Sequence, residues 1–288
     1  MPLKWIVGVE PDGEHDGPLK FAAWLDERSA ESPEIVGVHV LPKLEVIDPN
    51  FGPEDDKSFH SKARETCAWG LEKAGAKDAI DEVELVNADA IEDGLREAVL
   101  EHGPYGCVVG RRARHDEIRV QRLGPVARRM LRHLPAPLVV APPDWEARTG
   151  PIVLATDVAD SSLAAAGFAQ TLGRTIGAPV TAVYVAQTIP WGGPYVEPTL
   201  MKRTSERLSE SATKALAAWL KEHEIDDVNA RAENGDPVAR VSAVAEELDS
   251  PLIVCGSRQL GTAARIFGHS IASELAATAK TAVAVVPF

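Results

Sequence analysis

The sequence predicts an α/β protein of two tandem Rossmann-like domains, each a five-stranded parallel sheet covered by helices on both faces. Three observations predict it. The chain has 288 residues, room for two domains of about 140 each. It also repeats itself: WIVGVE at 5–10 resembles IVLATD at 152–157, CVVG at 107–110 resembles IVCG at 253–256, and APLVVAP at 136–142 resembles TAVAVVP at 281–287. The offsets are 147, 146 and 145 residues in one order, the signature of a duplicated unit. Finally, each copy alternates apolar runs with amphipathic segments, and near-continuous apolar strands belong to parallel sheets buried on both faces.

The boundary falls in PPDWEARTGP, residues 142–151, proline-rich and polar as a linker should be. This gives domains at 1–145 and 149–288. In the first copy the elements are WIVGVE, PLKFAAWLDERS, IVGVHVLP, a helix around SKARETCAWGLEKAG, EVELVN, EDGLREAVLEHG, CVVGRR, PVARRMLRHL and PLVVAPP. In the second, PIVLATD is a strand and ADSSLAAAGFAQTLGRTIG a helix, with Asp160 or Ser161 as N-cap and Gly177 near its end. VTAVYVA is a strand, and SERLSESATKALAAWLKEH a helix. DDVNARAE is a polar strand suited to a sheet edge. DPVARVSAVAEEL is a helix, PLIVCG a strand, SIASELAATAK a helix and TAVAVVP the last strand.

Composition narrows the function classes. The net charge of −13 and pI near 5.1 argue against a general nucleic-acid or anionic-membrane binder. No segment approaches the roughly 20 apolar residues of a membrane span, and MPLKWIVGVEPDG turns polar too soon for a signal peptide. Three cysteines without CxxC spacing, Cys67, Cys107 and Cys255, fit reduced thiols in a cytoplasm. Cys107 and Cys255 fall in predicted buried strands and read as small core residues. No HExxH, GxSxG or Cys/His metal spacing occurs, and His39 in GVHVL is a strand residue.

One stretch has the parts of a phosphate cradle: CGSRQLGTAARIFGHSI, Cys255–Ile271. Gly256 directly follows a strand, where a bare backbone lets an anion approach. His269 and Ser270 open a helix, whose first N–H groups are unpaired. Gly256 to Gly261 has G-x4-G spacing, but Thr262 and Ala263 stand where a Walker loop needs Lys-Ser/Thr. On the residues alone, a cradle and a mere turn with Ser270 as a helix cap both stay open.

The chain resembles the universal stress protein family over almost its whole length. The family carries G-x2-G-x9-G-[ST] before its last helix and an aspartate in a segment like ILVATDGSEAS, here IVLATDVADSS with Asp157. RRMLRHLPAPLVV matches the family's closing pattern. The resemblance implies an adenine nucleotide alpha hydrolase-like fold and a stress-response module binding ATP or another adenine nucleotide, with Mg2+ as a companion ion. It implies Asp157 near the adenosine, Ala155 and Val185 on the adenine, and Gly256, Ser270 and the Ile271 N–H facing phosphates. Arg258, Gly261, Gly268 and His269 complete the candidate loop. Gln259 replaces the motif's second glycine and His269 its third, with Gly268 just before. Three readings of His269 stay open: its imidazole pairs with a phosphate, fills the phosphate's place, or is simply solvated at the helix start.

The first copy departs further. Gly110 is kept, but Ala113 takes the second glycine position, Pro125 the serine position and Glu10 the aspartate position, so this site reads as degenerate. Arg111, Arg112, Arg114, Arg119, Arg122, Arg128, Arg129 and Arg132 form a cationic patch, read either as an anion site or as a solvated arginine face. The family pairs such domains through their last strands, implying intramolecular pairing here, with a homodimer also open. Besides the nucleotide-binding module, two readings stand: an interaction protein whose clefts are closed or hold another small ligand, and an ATP hydrolase, slow for want of an evident base or nucleophile.

Overall fold

The computed structural model describes residues 2–11, 15–43, 53–111, 123–133, 135–187, 198–257 and 270–288. Two compact units divide them: Met1–Ala147 with Ala276–Ala284, and Arg148–Leu275 with Val285–Phe288. The architecture is two Rossmann-like α/β halves, as the alternating pattern predicts.

The first half runs β1 (Lys4–Gly8), α1 (Gly17–Arg28), β2 (Glu34–Pro42), α2 (Pro53–Ala74), β3 (Glu82–Ala88), α3 (Ile91–His102), β4 (Gly106–Gly110), α4 (Pro125–Met130) and β5 (Leu138–Ala141). Its strands lie in the order β3-β2-β1-β4-β5, all paired parallel. Consecutive residues Trp5, Ile6 and Val7, like Leu138, Val139 and Val140, are buried. That absence of alternation reflects helices on both faces. Trp145 is no part of a free linker: it is 1% exposed and packs edge-on against Phe21 and Trp24 of α1, with ring centroids 5.3 and 5.6 Å away. Burial of an indole outweighs the polar character of its neighbours.

The second half runs β6 (Ile152–Thr156), a 3-10 turn (Asp160–Ser162), α5 (Leu163–Ile176), β7 (Val180–Ala186), α6 (Pro198–Glu222), β8 (Val228–Asn234), α7 (Pro237–Glu247), β9 (Leu252–Ser257), α8 (Ile271–Thr278) and β10 (Ala282–Pro287). The order is β10-β9-β6-β7-β8, with β6–β7, β6–β9 and β7–β8 parallel. β8 has the half-exposed pattern of an edge. The start of α5 differs from expectation: neither Asp160 nor Ser161 is its N-cap. Both fall in the 3-10 turn, and Ser162 occupies the cap position without a side-chain cap bond. Gly177 does end α5, at φ 65°, with its N–H on the Gly173 carbonyl, a conformation glycine adopts without steric cost. Asp236 caps α7 by accepting from the Ala239 N–H at 2.8 Å.

Candidate functional site

A strand order of β10-β9-β6-β7-β8 means that the chain leaves β6 toward one edge and β9 toward the other. Right-handed crossovers then put the following helices on opposite faces, and a crevice opens between the carboxyl ends of β6 and β9. Asp157 follows β6, and Gly256 lies near the end of β9. The two strands are adjacent and in register, with Ala155 opposite Cys255.

The Asp157 carboxylate organises the turn beyond β6. Its Oδ1 accepts from the Ser162 hydroxyl at 2.8 Å and from the Ala159 N–H at 3.2 Å. The Ser161 hydroxyl lies 3.4 Å from Oδ2, and the Asp157 N–H donates to Ser162 Oγ at 3.3 Å. A short acceptor that bonds its own backbone two residues on forms an Asx turn, so aspartate fits here where a longer side chain would not. Between these groups Val158 sits at φ 54°, a left-handed conformation that costs a β-branched residue energy.

Gly256 has a packing reason to be glycine. A Cβ there would lie 2.6 Å from the Ser161 carbonyl oxygen, too near for any side chain unless the backbone shifts. The β6–α5 turn therefore presses on the end of β9, holding both strand ends together. In the first half the corresponding Gly110 is less confined: a Cβ would meet only the Pro18 side chain, at 3.4 Å.

Register also sorts the face of the sheet. Ala155 lies opposite Val183, and Val183 opposite Arg231; Val185 lies opposite Glu233. Residues opposite one another share a face, as do residues two apart, so Ala155, Val183, Val185, Arg231 and Glu233 form one patch. α7 covers it, because Arg231 donates to Glu247 at 2.7 and 3.0 Å and Arg240 donates to Glu233. Ala155 is half-buried and Val185 8% exposed. Burial alone would raise the Glu233 carboxyl, but the bonds from Arg240 and Arg231 outweigh it and hold it below its ordinary value. This charge cluster beside Val185 went unnoticed in the sequence. Its only signal is the alternation of charge in ARAEN, which a solvated edge strand produces equally well.

Asp157, Gly256, Ala155 and Val185 thus gather at the carboxyl ends of three neighbouring strands. Ser270 and Ile271 stand at the first turn of α8, where the Ser270 carbonyl accepts from the Glu274 N–H at 2.9 Å. Ser270 is half-buried, and Ile271 is 43% exposed. Arg258, Gly261, Gly268 and His269, with Gln259, lie outside the described residues. Among the described residues no group of three or more acidic, imidazole or thiol side chains could hold a metal ion. No described helix is long and apolar enough to cross a membrane.

In the first half Glu10 is exposed beyond β1, and α4 opens with Gly124 and Pro125 and no side-chain cap. His39 lies in β2, its Nδ1–H donating to the Val9 carbonyl at 2.8 Å. The arginine patch is not uniform. Arg111 is 9% exposed and donates to the Ala279 carbonyl at 2.6 Å within the same unit; burial lowers its pKa, with Asp144 opposing. Arg129 pairs with Glu92, whereas Arg128 and Arg132 are exposed. Arg112, Arg114, Arg119 and Arg122 lie outside the described residues. The three thiols are buried. Desolvation pushes Cys107 and Cys255 up to about 12 and Cys67 up to about 11, so none is a nucleophile near neutral pH.

Residues 149–287 match the model of the universal stress protein family. Among solved structures, a universal stress protein from Archaeoglobus fulgidus DSM 4304 aligns with a TM-score of 0.65 at 16% identity, over 99% of this chain and 98% of its own. A Pseudomonas aeruginosa UCBPP-PA14 protein provisionally assigned to the same group aligns with a TM-score of 0.65 at 15% identity, over 99% and 93%. At such identities the likeness is one of fold. No curated protein matches the chain.

Proposed function

Because the chain belongs to the universal stress protein family through residues 149–287, we propose that its C-terminal half is a stress-response module binding ATP or a related adenine nucleotide. One observation carries the reading. At the point where the strand order reverses, Asp157 and Gly256 end neighbouring strands and are held together by the contact of Gly256 on Ser161. An open α/β sheet takes its ligand at such a crevice. Asp157 would face the ribose, and Ala155 and Val185 would offer apolar surface to the base. Ser270 with the Ile271 N–H would meet phosphates at the start of α8. With no cluster of three metal-binding side chains among the described residues, Mg2+ would arrive chiefly on the nucleotide's own phosphates. The first half would serve as a partner without a nucleotide, since Glu10 and Pro125 supply neither the short carboxylate nor the hydroxyl.

One observation favours the alternative of an interaction protein: the Asp157 carboxylate is already engaged by its own turn. Thermal unfolding with and without MgATP decides between them. At a hundredfold excess over Kd a ligand stabilises by about 2.7 kcal/mol, so the melting temperature should rise by several degrees, and by less in Ser270→Ala. An unchanged melting temperature at millimolar MgATP would sink the nucleotide reading.

A further inference from the structure

We propose that the groove between α3 and α4 in the first unit binds a compact oxyanion of the phosphate monoester class. The two helices pack together and flank an open groove of about 290 Å³. Glu92, Asp93 and Arg96 of α3, Arg129 and Met130 of α4, and Arg132 and His133 just beyond line it. Arg129 pairs with Glu92, whose side chain is 14% exposed, so this pair neutralises itself and braces one wall. Asp93 stands in the first turn of α3, where the helix dipole favours a carboxylate. The side chains of Arg96, Arg132 and His133 have no hydrogen-bond or ion-pair partner among the described residues, although the Arg132 and His133 N–H groups bond the Arg129 and Met130 carbonyls.

That leaves two exposed guanidinium groups and an exposed imidazole lining one concavity in a chain of net charge −13. Elsewhere Arg231, Arg240, Lys4 and Lys43 all hold carboxylate partners. Exposed guanidinium groups along one groove offer charge-assisted, bidentate donors to an anion. The fork of each guanidinium takes two oxygens. A phosphate supplies three oxygens to the two forks and the imidazole, whereas a carboxylate supplies two. The volume is at the small end for ligand pockets and suits a phosphate group on a small body rather than a nucleotide. Every lining residue belongs to the first unit, and the proposal does not rest on the nucleotide reading.

Calorimetric titration of the full chain with inorganic phosphate, at low salt in a phosphate-free buffer, tests the proposal. The wild type should bind saturably, and acetate at least fivefold more weakly. Arg96→Gln/Arg132→Gln should weaken phosphate at least tenfold. Arg64→Ala, which removes one exposed charge from α2 instead, should stay within twofold of wild type. Matched melting temperatures of the variants establish that they fold. Absence of saturable binding, unchanged binding in the double variant, or an equal loss in Arg64→Ala would each overturn the assignment.

Discussion

Val158 holds a φ of 54° in the turn after β6, with its N–H on the Thr156 hydroxyl at 3.0 Å. A left-handed residue other than glycine costs about 1–2 kcal/mol, against roughly 0.5–1 kcal/mol for the extra freedom of an unfolded glycine. Val158→Gly should therefore raise stability by up to about 1 kcal/mol in urea unfolding; a loss would mean that the turn does not hold this conformation. Gly256 has the opposite sensitivity. Its Cβ would collide with the Ser161 carbonyl, and overpacking of this kind costs about 1–3 kcal/mol. Gly256→Ala should lower the urea midpoint with or without nucleotide, so it reports on packing before it reports on binding. Asp157 and Gly256 were legible in the sequence because strand ends reveal themselves by where apolar runs stop. The strain at Val158 was not, because a β-branched residue ordinarily signals extended backbone.

The buried strands were readable from their apolar runs, and the chemistry of their thiols follows from that burial. Cys107 in β4 and Cys255 in β9 are pushed up to about 12, against about 8.5 in an unfolded chain. Below about pH 8.5 both states keep the protons and the thiols do not affect stability. Above it only the unfolded chain ionises, so stability falls as pH climbs toward the folded values. Chemical unfolding at pH 7.5, 9 and 10 should show that decline, blunted in Cys255→Ala relative to its own value at pH 7.5; an identical decline in the variant would contradict it. Helix lengths were less legible. α2 begins at Pro53, well before the periodic stretch, because PEDDKSFH is polar all round and shows no apolar stripe; its acids suit a helix N-terminus. α4 stops at Met130, earlier than the pattern through Leu134 suggests, with Pro135 and Pro137 closing off any continuation. The N-terminus of α5 was misplaced because the Asp157 carboxylate captures the hydroxyls of Ser161 and Ser162 that would otherwise compete for the cap.

At the scale of the molecule, duplication fixed the architecture while local sequence differences separated the two halves chemically. Both place a glycine near the end of the strand that faces the crevice, Gly110 and Gly256. Only the second adds a short aspartate locked into the turn and a serine before the last helix. The first half instead carries arginines: Arg111 turned inward to a carbonyl, and Arg96 and Arg132 around a groove. The aspartate and serine differences were readable as single residues. The groove was not, because it needs α3 and α4 side by side, and Arg96 lies outside the arginine run that the sequence displays.

We infer that one half of this chain, and one only, holds an adenine nucleotide. Calorimetric titration with MgATP measures the number of sites directly. One site per chain is expected, with affinity reduced in Ser270→Ala. No binding, or two equivalent sites per chain, would contradict it.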